Sequence, residues 1–173
     1  SYYTYGMSIY KNMPLIEPLE TKEVKKIYEF VIVLDTSYSI NENLAKRFIS
    51  NTYSILSTSN MFYKSCKVHI IQCDDRIRKD DVISNQNEMD RLLNSFTLVG
   101  GGNTDFRPVF SYVNDLIDQK VFQNLCGLLY FTDGKGIYPK KSPAYKTAFI
   151  YLEDYDQSKV PSWAIQYRLE EKL

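Results

Sequence analysis

No surplus of charge of either sign runs through this chain: 21 Lys and Arg residues balance 21 Asp and Glu, for a formal net charge of zero. That balance supplies no overall field to draw the chain onto nucleic acid or an anionic membrane. Histidine is scarce as well. His69 stands alone, and no HExxH pair exists to build a zinc-protease centre. The cysteines, Cys66, Cys73 and Cys126, are odd in number and never spaced CxxC. Each falls in or beside an apolar run and reads as a buried, reduced thiol, which points to a cytoplasmic setting. No apolar stretch has the length to span a bilayer. There is neither a signal peptide nor an initiator Met, so the start at Ser1-Tyr2-Tyr3 reads as a cut or processed piece of a longer protein. Internal repeats and low-complexity tracts are missing too.

What is present suits one soluble globular domain. The 173 residues are 44% hydrophobic and 24% charged, ordinary proportions for a chain able to bury a sizeable core. Fifteen tyrosines would favour an interface, but Asn, Lys and Ile are abundant alongside them, and a biased genomic composition explains all four. Residues 1–27 show no clean period, and Pro14 and Pro18 break any helix there. They read as a lead-in segment, with the domain proper at 28–173.

The domain opens on YEFVIVLDTSYSI, Tyr28 to Ile40. Five consecutive apolar residues, Phe30 to Leu34, read as a strand buried on both faces, as in the centre of a parallel sheet. Apolar positions from Leu44 to Leu56 fit an amphipathic helix capped by Asn41 or Asn43. Cys66–Cys73 reads as a second strand and Ile77–Ile83 as a short edge strand after a tight turn. Residues 87–96 and 106–117 read as helices, the latter with Pro108 in its first turn. Leu125–Phe131 and Thr147–Leu152 are buried strands, and Trp163–Leu169 is a final one near an edge. Strands alternating with helices predict an α/β, Rossmann-like, doubly wound sheet, mostly parallel with one antiparallel edge strand and helices on both faces.

Three separate segments end in oxygen-bearing side chains: Asp35, Ser37 and Ser39 after the first strand, Thr104 and Asp105 after Gly100-Gly101-Gly102, and Asp133 after the strand at 125–131. Ligands of open α/β sheets bind just beyond the carboxyl ends of such strands. Two carboxylates with three hydroxyls suit a hard cation such as Mg²⁺ and leave it under-neutralised, ready for one more anionic oxygen. DxSxS alone recurs by chance in about one chain of this length in twenty; its placement, together with the other two segments in order, makes the pattern specific.

DxSxS after a buried strand, Thr in a Gly-rich loop and TDG after another strand resemble the von Willebrand factor A (VWA) domain and its metal-ion-dependent adhesion site. A closer resemblance is to the bacterial VWA-like domain that follows a metallopeptidase-like domain, where GGGTDFRPVF and TDGxGx(F/Y)P are typical. This chain has GGGNTDFRPVF and TDGKGIYP, and the extra Asn103 puts the register of Thr104 in question. The resemblance implies Mg²⁺ or Mn²⁺ at Asp35, Ser37, Ser39, Thr104 and Asp133. It also implies a partner protein presenting an Asp or Glu, a MoxR-type AAA+ ATPase being the kind of partner such proteins have. A monomer in isolation, without nucleic-acid or membrane partners and without catalytic residues, completes the expectation.

Plainer roles compete residue by residue. Asp35, Ser37 or Ser39 could each cap a helix, but a cap explains one of them and not three. Asp105 reads as a cap or a support behind the site, Arg107 as its partner or a surface ion pair, and Asp74-Asp75 as turn residues. His69 reads as a satisfied core histidine, and Trp163 as packing. Two further readings remain for the whole chain. A haloacid-dehalogenase-like phosphatase would use Asp35 as nucleophile, although position 37 is Ser where that chemistry wants a second acid. A VWA-type scaffold would bind partners by packing, without metal.

Overall fold

A computed structural model describes residues 27–37, 40–58 and 66–169. The expected lead-in 1–27 therefore falls outside the described residues except for Ile27, as do 170–173 at the other end of the expected domain. Along the chain run β1 (Tyr28–Asp35), α1 (Glu42–Thr58), β2 (Cys66–Cys73), β3 (Ile77–Ile83), α2 (Gln86–Asn94), α3 (Arg107–Asp118), β4 (Leu125–Thr132), β5 (Lys146–Tyr151) and β6 (Ile165–Arg168). One six-stranded sheet has the order β3-β2-β1-β4-β5-β6. Every neighbouring pair is parallel except β2 with β3, which is antiparallel at the edge. This is the doubly wound architecture that the alternating strands and helices predict.

The apolar run of β1 is explained by its place. It is paired on both sides, and Phe30 through Leu34 have no exposed surface. Side chains alternate across a strand. Phe30, Ile32 and Leu34 pack with Phe48, Ile49 and Leu56 of α1 and Met89 and Leu92 of α2. Val31 and Val33 pack with Val109, Phe110 and Val113 of α3 on the opposite face. Each such fully buried side chain contributes about 1.5–3 kcal/mol of transfer free energy. Phe48 stacks on Phe131 at 3.9 Å between ring centroids, which fixes α1 over the junction of β1 and β4. The α3 face is aromatic, with Phe106, Tyr130 and Phe149 within 5.3 Å of one another and Trp163 against Phe110 and Phe149.

Local signals set the element ends. Asn41 Oδ1 accepts from the Leu44 amide at 2.8 Å and caps α1, one of the two caps expected. α2 begins a residue earlier than its apolar period indicates, because Asn85 accepts from Glu88 N at 2.9 Å. α3 starts with Pro108 in its first turn and has no side-chain cap at Phe106. The last strand is shorter than expected: Trp163 and Ala164 belong to a turn in which Ala164 N donates to Pro161 O. The cysteines are free, with Cys73 buried but Cys66 and Cys126 only half-buried. The two lie near one end of β1, where Cys66 pairs with Tyr28 and Leu125 with Glu29, less deep than an apolar context alone implies. Burial nevertheless pushes all three thiols up to about 12. No helix among the described residues is long and apolar enough to cross a membrane.

Candidate functional site

Because β1, β2, β4, β5 and β6 run the same way, their carboxyl ends share one edge of the sheet. Asp35 is the last residue of β1 and 2% exposed. The chain stays tied to β2 for one residue more, through Thr36 N to Cys73 O at 2.9 Å. Asp35 Oδ1 accepts from Ser37 N at 3.1 Å, and Oδ2 accepts from Thr132 Oγ1 at 2.5 Å. Thr104 Oγ1 approaches both Asp35 oxygens at 3.4 Å. Asp133, next after Thr132, is buried and accepts from Lys135 N at 3.0 Å.

Burial pushes the Asp35 carboxyl above its ordinary range, and the charge of Asp133 pushes the same way. Hydrogen bonds from Thr132 and from the Ser37 backbone and side-chain dipoles oppose the rise without cancelling it. Ser37 Oγ is buried and, among the described residues, makes no hydrogen bond of ordinary geometry. The fold thus brings Asp35, Ser37, Thr104 and Asp133 to one place, from three segments. Ser39 lies outside the described residues. The extra Asn103 does not carry Thr104 away from Asp35.

The Gly-rich loop is held by residues that the sequence pattern does not single out. Val99 N donates to Gln72 Oε1 at 2.8 Å, and Gln72 Nε2 donates to Thr97 O. Asp74, wholly buried at the end of β2, accepts from Gly102 N at 3.1 Å through Oδ2. The same carboxylate takes the Asp75 and Arg76 amides and both Nε and a terminal nitrogen of Arg78, the last two at 2.8 and 2.9 Å. Burial works to raise its pKa, but Arg78 and these amides outweigh burial and hold it well below the usual carboxylate range. Asp74 O also accepts from Asp105 N at 3.1 Å. Gly100 has φ +133°, and a Cβ there would sit 2.3 Å from Thr36 Oγ1; only glycine lets the loop lie this close to the end of β1.

The supporting residues take their plainer roles. Asp105 accepts from Arg107 N at 3.0 Å and pairs with the Arg107 guanidinium at 2.8 Å. His69 is satisfied by Asp80, at 3.1 Å from Nδ1, and Tyr112 of α3 donates to the same carboxylate at 2.5 Å. Asp74 is no ordinary turn residue, and Thr132 is a direct partner of Asp35; both were missed. A faint signal existed for each. Asp74 ends a buried strand as Asp35 and Asp133 do, and Thr132 precedes Asp133 in TDG. Chemically, two carboxylates and neutral hydroxyls, one without a partner, are oxygen donors of the kind hard cations take. Among the described residues no three His, Cys, Asp or Glu side chains converge, so a soft or nitrogen-rich metal centre has no ligands here.

Residues 30–170 match the family model described as VWA-like domain (DUF2201). The chain belongs to the VWA-like domain family. Solved structures agree on the fold. An aerotolerance-related membrane protein from Bacteroides fragilis is 14% identical with a TM-score of 0.50, over 84% of this chain and 92% of that one. The ArnB paralog VWA2 from Sulfolobus acidocaldarius is 16% identical with a TM-score of 0.53, over 84% of this chain and 42% of that one. No curated protein sequence matches the chain. VWA-like domains are in general non-catalytic protein-interaction modules, and the six-stranded, mostly parallel sheet with one antiparallel strand and flanking helices matches their α/β fold.

Proposed function

We propose that this VWA-like domain is a metal-dependent protein-interaction module. Asp35, Ser37, Ser39, Thr104 and Asp133 hold Mg²⁺ or Mn²⁺, and a partner protein supplies an Asp or Glu carboxylate to the remaining position. The observation that carries the reading is the meeting of Asp35, Ser37, Thr104 and Asp133 at one sheet edge, with Ser37 Oγ buried and, among the described residues, without a hydrogen bond of ordinary geometry. A buried hydroxyl left without a partner costs about 1–3 kcal/mol, and two neighbouring buried carboxylates disfavour one another's charge. A divalent cation relieves both, so the residues present fit the group. When bound, it supplies positive charge that two carboxylates do not fully neutralise. The chain's own residues do the rest: Thr132 and the Ser37 amide orient Asp35, and the Gly-rich loop brings Thr104 over it. A MoxR-type AAA+ ATPase is the partner class favoured by the family resemblance, in a cytoplasmic setting.

Thermal unfolding tests the metal directly, since a ligand of the folded state alone stabilises by about 2.7 kcal/mol at a hundred times its Kd. Millimolar Mg²⁺ is expected to raise the melting temperature of the wild type and to leave Asp35→Ala and Ser37→Ala unmoved. No shift in the wild type, or the same shift in both variants, defeats the metal reading. Capture of a MoxR-type ATPase should then be lost in EDTA. Capture indifferent to EDTA and to Ser37→Ala selects a scaffold that works by packing alone.

A further inference from the structure

We propose that Asp74, gripped by Arg78, is a positioning residue that sets the loop carrying Thr104 over the end of β1 and thereby fixes the affinity of the site for its cation. The inference rests on the metal reading above and adds to it a residue that never touches the ion.

Geometry makes the argument. Asp74 has no exposed surface, yet its carboxylate is fully satisfied by N–H donors from two directions. From its own side come the amides of Asp75 and Arg76 and the Arg78 fork on edge strand β3. From the other side comes a single donor, Gly102 N, two residues before Thr104. The Asp74 backbone carbonyl takes Asp105 N, one residue after Thr104. Asp74 therefore holds the loop on both sides of Thr104, side chain before it and main chain after it. Among the described residues, the Thr104 hydroxyl is held by the long 3.4 Å approaches to Asp35. A hydroxyl so weakly tethered depends on its flanks for placement. The Arg78 fork keeps Asp74 ionised and its Oδ2 aimed at Gly102, because a planar guanidinium fixes a carboxylate in two places at once. Gly102 also leaves room for this contact, since a Cβ there would stand 3.2 Å from Asp74 Oδ2 and crowd it.

Isothermal titration with Mg²⁺ alone tests this on the wild type, Asp74→Asn, Arg78→Gln, Thr104→Ala and the double variant Asp74→Asn/Thr104→Ala. Groups that orient a ligand from behind typically change metal affinity 10- to 100-fold, and about tenfold weakening is expected for Asp74→Asn and for Arg78→Gln. The double variant should bind no more weakly than Thr104→Ala, because Asp74 acts through Thr104. Arg78→Lys, which keeps a cation beside the buried carboxylate but loses the two-point fork, takes the place of Arg78→Gln or Asp74→Asn in the titration where either fails to fold. Wild-type affinity in Asp74→Asn and Arg78→Gln, with only a lower melting temperature in EDTA, marks Asp74 as a structural residue and overturns the proposal. So does a double variant whose losses multiply. If the wild type binds Mg²⁺ and Asp35→Ala abolishes it, either result sinks this inference alone. If the wild type binds none, the metal reading falls and takes this inference with it.

Discussion

Asp35 and Asp74 are both buried carboxylates at the ends of neighbouring strands, and their surroundings treat them oppositely. Asp35 has a few neutral donors and an acidic neighbour, and its pKa is raised, by burial first. Its charge therefore opposes folding at neutral pH when no cation is present. In EDTA at pH 7, Asp35→Asn is expected to melt higher than the wild type by about 2–4 °C, the equivalent of about 1 kcal/mol, while abolishing the Mg²⁺ response; a differential scanning calorimeter reads both. Asp74 is held far below the ordinary 3.8, and Asp105 is lowered too by its Arg107 partner. A carboxyl with a depressed folded pKa contributes its stability above the unfolded value and loses it as pH falls. Stability should thus drop from about pH 4 downward, and urea titrations across that range should show a flatter acid limb in Asp74→Asn. The sequence made Asp35, Ser37, Thr104 and Asp133 legible because residue type, spacing and strand ends coincide there. Asp74 was illegible because its role depends on Gly102, 28 residues away, and no local pattern encodes that pairing.

Elements were read more surely than their ends. The residue pattern located every α-helix and strand among the described residues, most surely those such as β1 and β4 that bury long apolar runs, but not the short 3-10 helix Gln157–Lys159, which buries nothing. Boundaries moved where a polar side chain competed with the period, as Asn85 does at α2, or where a turn intervened, as at Trp163 and Ala164. The polar tie between α3 and the edge of the sheet was not foreseen. His69 on β2 and Tyr112 on α3 meet on Asp80 of β3, so three elements share one carboxylate. Tyr112→Phe removes one of its donors and should cost about 1–3 kcal/mol in chemical denaturation, with the Mg²⁺ response retained. The glycine loop is less forgiving. Gly100→Ala combines a positive φ with a 2.3 Å approach to Thr36 Oγ1, and about 1–3 kcal/mol of destabilisation is expected, with weakened Mg²⁺ binding because the loop must lift.

Across the whole molecule, the proposed site and the single tryptophan sit on different parts of one sheet. Trp163 packs against Phe110 and Phe149 on the α3 face, whereas the site joins the ends of β1 and β4 to the Gly-rich loop. A cation held there ties segments that are distant in sequence and stabilises the sheet as a unit. Melting followed by Trp163 fluorescence and by far-ultraviolet circular dichroism should coincide, and Mg²⁺ should move both by the same amount. A shift in only one signal would mean that the metal stabilises a part and not the whole. The sheet order has another consequence, for the order of events as the chain is made. β1 lies between β2 and β4, and the Asp35–Thr132 contact spans 97 residues. At about 5–20 residues per second, the ribosome releases the apolar run of β1 about 5–20 s before its second neighbour exists. During that wait Glu29 and Asp35, at either end of Phe30–Leu34, are the charges that discourage one nascent chain from sticking to another.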